Sequence, residues 1–130
     1  MQSRRVLTVS DAQMNFLLKS LMQKVEGIQS AAVVSREGLT VTSILDANVQ
    51  AMHIAAMSAI IMSTCERILV ELNKGELDVC IVQGSAGKFV VMEAGQDYII
   101  VTVLKDDARM DLAFVEMRKT SRQIADLTKR

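Results

Sequence analysis

One long helix constrains this chain more than any other feature. From Asp46 to about Lys74 the sequence contains neither proline nor glycine, and Gly75 stands where a C-terminal stop is expected. Asp46 is expected to supply the N-cap. Ile54, Met57, Ile61, Cys65, Ile68, Leu69 and Leu72 recur at helical spacing and make one apolar face. Met52, Ala56, Ala59 and Ser63 fall on roughly the opposite side at coiled-coil-like spacing, with Ile60 at its border. A helix lying on a sheet needs only one such face. The second is left toward water, and its small side chains let another helix backbone approach closely. Monomers seldom leave an apolar patch of this kind uncovered. Burying ~500 Å² per subunit at about 25 cal/mol/Å² is worth about 12 kcal/mol per subunit before association costs. Closed two-fold pairing is the commonest outcome. The sequence therefore predicts a homodimer whose interface uses Met52, Ala56, Ala59, Ile60 and Ser63. The competing reading is that other parts of the same chain cover this face.

The other segments supply the sheet and its remaining cover. Ser10 to Glu26 reads as an amphipathic helix, with Ser10 and Gln13 as a capping box and Gly27 as the stop. Met14, Leu17, Leu18, Leu21, Met22 and Val25 form its stripe. Ile28 to Ser35 is predicted as a strand, Arg36-Glu37-Gly38 as a tight hairpin, and Leu39 to Ile44 as an outer strand. Leu39 and Val41 alternate there with a wetter side carrying Thr40 and Thr42. Leu77 to Gln83, Lys88 to Ala94 and Tyr98 to Leu104 read as three further strands joined by glycine turns. The last is apolar on both faces apart from Thr102, as a central strand should be. Asp106 or Asp107 is expected to cap a final helix reaching about Thr128, with Met110, Ala113, Phe114, Met117, Ser121, Ile124 and Ala125 buried. The order is helix, strand, strand, helix, strand, strand, strand, helix. Five antiparallel strands between helices satisfy every stripe, which gives an α/β class and a single domain over residues 1–130. Residues 1–9 form a short N-terminal segment, either flexible or extending the sheet.

Composition removes several functions. Fifteen basic residues balance fifteen acidic ones, and aromatics are 3% of the chain. A nucleic-acid binder would show a basic excess and a stacking platform. Cys65 and Cys80 lie in apolar runs and read as buried free thiols, neither a disulfide scaffold nor a zinc site. The N-terminus lacks the apolar stretch of a signal peptide. Glu66 and Arg67 interrupt the longest helix, so no membrane insertion is expected. These features point to the cytoplasm.

No catalytic, cofactor or metal site emerges. His53, the only histidine, has no acidic or thiol neighbour at ligand spacing. Gly84-Ser85-Ala86-Gly87-Lys88 lacks the longer spacing, the Ser or Thr after lysine and the following helix of a phosphate loop, and reads as a hairpin turn. The aspartates at 46, 78, 97, 106 and 107 sit at element boundaries or exposed strand positions, where caps and turns account for most of them.

The sequence resembles the Roadblock/dynein light chain domains. The resemblance rests on Val25-Glu26-Gly27-Ile28 at the end of the first helix and on the run from Ala31 to Leu39, AAVVSREGL. The small-residue long helix and the strands at Leu77 and Gly95–Leu104 add to it. It implies a long helix on one sheet face and the first and last helices on the other. It also implies dimers in which the long helices pack antiparallel and the strand beginning near Leu77 pairs with its twin. That adds Leu77, Val79, Cys80 and Ile81 to the expected interface. Family members do no chemistry of their own. Some are motor-complex light chains, others scaffold or regulate small Ras-like GTPases, and bacterial motility-polarity members act as GTPase-activating proteins. The free-standing form resembles the prokaryotic members, so the resemblance favours a GTPase regulator over a light-chain-like structural adaptor. Arg36 and Arg67 are exposed candidates for partner contact. A small-molecule sensor would need a polar-lined pocket, and the aliphatic stripes offer no converging polar set.

Overall fold

Three helices and five strands follow one another in the expected order in the computed structural model, which describes residues 8–129. They are α1 (Val9–Lys24), β1 (Ile28–Ser35), β2 (Thr40–Ile44), α2 (Ala51–Glu71), β3 (Val79–Gly84), β4 (Gly87–Glu93), β5 (Tyr98–Lys105) and α3 (Met110–Leu127). The expectation for an N-terminal segment at residues 1–9 falls, as far as residue 7, outside the described residues.

Each helix begins at a residue other than the one expected. Thr8 caps α1: its hydroxyl accepts the Asp11 N–H at 3.0 Å, and the Asp11 carboxylate accepts the Thr8 N–H at 3.3 Å. Ser10 and Gln13 lie inside the helix. Asp46 does not cap α2, which starts after Gln50 with no side-chain cap. Asp46 instead closes a turn, its main-chain oxygen accepting from Val49 at 3.0 Å and its carboxylate from Ala47 at 3.1 Å. Likewise Arg109, not Asp106 or Asp107, precedes α3. An aspartate that closes a turn satisfies the same kind of backbone donor as one that caps a helix, so sequence alone does not separate them.

The strands form one sheet in the order β2-β1-β5-β4-β3, every neighbouring pair antiparallel. β5 is central, as its two apolar faces require. β1 and β5 alternate their side chains between two cores. Ala31, Val33, Ile100 and Leu104 face α1 and α3, where Met14, Leu18, Leu21, Met117 and Ile124 are fully buried. Buried Thr102 sits on this side too, its hydroxyl donating to Met117 Sδ at 3.2 Å. Ala32, Val34, Ile99 and Val101 face α2. β2 departs from simple alternation. Thr42 pairs with Val33 and Thr40 with Val34, so Val41 is an extra residue opposite β1. Thr42, expected on a wetter side, is buried and accepts a hydrogen bond from Asn15 of α1 at 2.8 Å.

α2 is seated differently from the expectation. Its fully buried residues are Ala55, Ser58 and Met62, with Ile54, Ile61, Cys65 and Leu69 half-buried beside them. Met57, Ile68 and Leu72, expected against the sheet, are exposed. The seat contains a polar residue, and a reading of apolar stripes passes over it. Ser58 is tolerated there because its hydroxyl donates to the Ile54 carbonyl at 2.6 Å. By length and composition alone α2 is long and apolar enough to cross a membrane, although Glu66 and Arg67 lie within it. Its mean hydropathy is 1.3 over an 18-residue window, of which 17% is buried. Ala55, Ser58 and Met62 nonetheless pack it on the sheet.

Candidate functional site

The outward side of α2 is an uncovered apolar surface. Met52 is 77% exposed, Ile60 65% and Val70 71%. At about 100° per residue, the apolar surface runs from Met52 and Ala56 through Ile60 and Met57 to Ile68. Ile68 shares a cavity of about 430 Å³ with Leu77, Val79, Cys80 and Ile81, so this surface reaches β3. β3 pairs only with β4 within the described residues, and its far edge is open. Its six residues keep an unbroken register from Val79 to Gly84, and Ile81 and Val82 are exposed on opposite faces.

The two sheet edges contrast. β2 is shorter, carries the bulge at Val41 and is tied to α2 and α1 by Thr40 and Thr42. Short, bulged edges resist pairing, whereas a flat apolar edge invites it.

The residues expected at an interface are brought to this one side, with differences among them. Met52, Ala56, Ile60, Ser63 and Ile81 are exposed, and Leu77 and Val79 are half-buried. Ala59 is half-buried because the β1–β2 hairpin leans on it: a methyl group at Gly38 would lie 3.5 Å from the Ala59 Cβ. Cys80 is buried, its side chain turned under α2 onto Cys65, so only its backbone belongs to the edge. Met57, Ile68 and Val70 extend the surface beyond the sequence reading. Met57 and Ile68 were hidden in the stripe assigned to the sheet. For Val70 the signal was available, because it falls in line with Met52, Ala59 and Ser63.

Arg36 is not the exposed side chain expected. Half-buried, it donates to the Gln96 carbonyl at 2.8 Å, to Glu66 at 3.2 Å and to Glu93 at 2.6 Å. It therefore ties the first hairpin to α2 and to the β4–β5 turn. Arg67 is exposed, with no ion pair among the described residues. His53 is exposed at the start of α2. Gly84 and Gly87 pair directly across a two-residue turn between strands, and Lys88 donates to the Asp106 carbonyl at 3.0 Å, so this loop cradles no phosphate. Among the described residues no three His, Cys, Asp or Glu side chains cluster as metal ligands. A groove of about 520 Å³ between α1 and α3 is lined chiefly by Val9, Phe16, Leu17 and Leu127.

Comparison with known proteins agrees with this architecture. The family model described as the Roadblock/LC7 domain matches residues 14–104. An uncharacterized protein of Methanocaldococcus jannaschii is 31% identical over 108 residues, covering 83% of this chain and 90% of that relative. The Roadblock/LC7 domain from Streptomyces avermitilis superposes with a TM-score of 0.81 at 19% identity, over 86% of this chain and 94% of that one. The gliding protein MglB of Thermus thermophilus superposes with a TM-score of 0.85 at 14% identity, over 99% and 98% of the two chains.

Proposed function

The chain belongs to the Roadblock/LC7 domain family, and from that premise we propose that it is a non-catalytic module that pairs with its own copy and presents the pair to a small Ras-like GTPase. The observation that carries this reading is the largely apolar surface from the outer side of α2, interrupted by Arg67, to the open edge of β3. Two copies related by a two-fold axis would set the α2 helices antiparallel, with Ala56 and Ser63 allowing close approach and Met52 and Ile60 filling the seam. The β3 strands would join edge to edge and extend two five-stranded sheets into one of ten. Met52, Ala56, Ala59, Ile60, Ser63, Leu77, Val79, Cys80 and Ile81 make up the proposed interface, with Cys80 contributing backbone. The pair would be one domain per chain and act in the cytoplasm.

A module of this kind changes a partner's rate by fixing the partner's loops. Arg67 is exposed on α2 and is proposed to meet the partner.

A GTP-hydrolysis assay with a cognate small GTPase tests the proposal. Faster or slower hydrolysis at saturating module supports regulation. Binding without a rate change would move the assignment to a structural adaptor. The pair itself is checked by light scattering with Ile60→Glu, which places facing charges in a dry seam. Ile60 is the better probe than Ala59, whose replacement would also strike the molecule's own hairpin. If wild type and Ile60→Glu both scatter as monomers at micromolar concentration, the self-pairing is wrong.

A further inference from the structure

We propose that Cys65 and Cys80 are a redox-active pair that closes to an intramolecular disulfide under hydroperoxide and so clamps α2 onto the edge strand β3. The sequence places these thiols fifteen residues apart in separate apolar runs, with nothing to link them. Folding brings their sulfurs to 3.4 Å, Cys65 from α2 and Cys80 from β3. A disulfide needs about 2.05 Å between sulfurs, so the two must close by roughly 1.4 Å. The element that has to move is lightly held. Beyond Cys65 only Glu66, paired with Arg36 at 3.2 Å, and Leu69 are half-buried, Ile68 and Leu72 are exposed, and residues 70–76 are exposed throughout.

Access follows from the cavity of about 430 Å³ beside β3, whose lining includes both cysteines. Cys65 is half-buried and meets the oxidant first, while Cys80 is buried behind it. The Cys65 thiolate attacks the peroxide O–O bond. An S–O bond forms, the O–O bond breaks, and the leaving oxygen departs as water. The Cys80 sulfur then attacks the Cys65 sulfenic acid, forming the S–S bond and expelling the second oxygen as water, with the Cys80 proton lost. Two electrons pass from the sulfurs to the peroxide, and the balance is two thiols and one hydrogen peroxide to one disulfide and two waters. Burial, then the contact with Cys65, pushes the Cys80 thiol up to about 11. The second step is therefore expected to quicken as pH rises from neutral toward that value.

This inference does not need the self-pairing proposed above, although a second copy on β3 would narrow the mouth of the cavity. The experiment treats dilute wild-type protein and Ile60→Glu in parallel with hydrogen peroxide, followed by denaturation, alkylation and intact-mass measurement. The expected product is a single chain lighter by two hydrogens, with no alkylatable thiol, reversed by dithiothreitol. Its melting temperature should exceed that of the reduced protein by about 10 °C, from closing a fifteen-residue loop. In Cys80→Ala a sulfenic acid at Cys65 should persist and be trapped by dimedone. Closure in both proteins or in Ile60→Glu alone supports the pair. Two alkylatable thiols retained in both, a sulfinic acid at Cys65 or a link between two chains would overturn it. The wild-type masses decide the matter if Cys80→Ala fails to fold.

Discussion

Gly27 sits at φ +103° where α1 gives way to β1, and a methyl group there would lie 2.7 Å from the Ala108 Cβ. Gly75 has a similar φ, +86°, with no atom within 4 Å of the same position. The pair separates backbone strain from collision. Gly75→Ala should cost about 1 kcal/mol, from the left-handed conformation alone. Gly27→Ala should cost about 3 kcal/mol, because strain and overpacking add. Urea midpoints of the two variants against wild type check the ordering. Asp78 offers a test by pH. Arg118 grips its carboxylate from α3, Nη2 to Oδ2 at 2.6 Å, and that hydrogen bond holds the Asp78 carboxyl below its ordinary value. A depressed folded pKa adds stability that is complete above the unfolded value of about 3.9 and fades as pH falls through the folded one. Both side chains are well exposed, so solvent screening keeps the contribution under about 1 kcal/mol. Asp78→Asn should therefore lower the urea midpoint slightly near neutral pH, and the difference should shrink as pH falls below the unfolded value of about 3.9. At this scale the sequence was legible where backbone geometry demands glycine, as at Gly27 and Gly38. It was illegible for helix caps: Thr8, Asp46 and Arg109 are distinguished by what surrounds them, and composition does not carry that.

The two faces of the sheet are covered by unequal layers. α1 and α3 bury Met14, Leu18, Leu21, Met117 and Ile124 on one side, whereas α2 buries only Ala55, Ser58 and Met62 on the other. Met62 is thus the single large buried side chain that α2 contributes. Met62→Ala should cost about 2–4 kcal/mol through lost burial and the cavity left behind. Met117→Ala should fall in the same range, despite its thicker surroundings. Thermal melts under identical conditions check both. The thin layer also explains which part of α2 the sequence could reveal. Its double apolarity is a periodic signal and appears in the fold, whereas its bounds do not: the helix expected from Asp46 to about Lys74 runs from Ala51 to Glu71, and left-handed Asn73, ahead of Gly75, follows its end. The phase of the helix on the sheet is not periodic information. Ser58 is polar yet buried, and Met57 and Ile68 are apolar yet exposed, so hydrophobicity pointed the helix about a residue away from its true seat. The edge strands divide in the same way. Alternation marked β2 as an outer strand, but the bulge at Val41 depends on the Val33–Thr42 and Val34–Thr40 pairings, which only the assembled sheet specifies.

For the molecule as a whole, stability and self-pairing are expected to be coupled. The proposed interface exists only in the folded chain, so a second copy binds the native state and not the unfolded one. Mass action then makes the melting temperature depend on protein concentration. A tenfold rise in concentration adds about 1.4 kcal/mol per mole of pairs, and two 130-residue chains unfolding together have an entropy that converts this to about 2–3 °C. Ile60→Glu should melt at a temperature independent of concentration, because the charge opposes pairing while lying outside the buried core. The comparison is informative because the monomer keeps its whole sheet, so a loss of concentration dependence cannot be mistaken for loss of fold. Calorimetry over a hundredfold range of concentration reads both proteins. A wild-type melting temperature that stays flat across that range would mean that the apolar side of α2 is not closed by a second copy. The partner would then have to bind that side directly. In that case the affinity of the single chain for a GTPase should fall with Ile60→Glu, whereas a paired module would lose its second copy first.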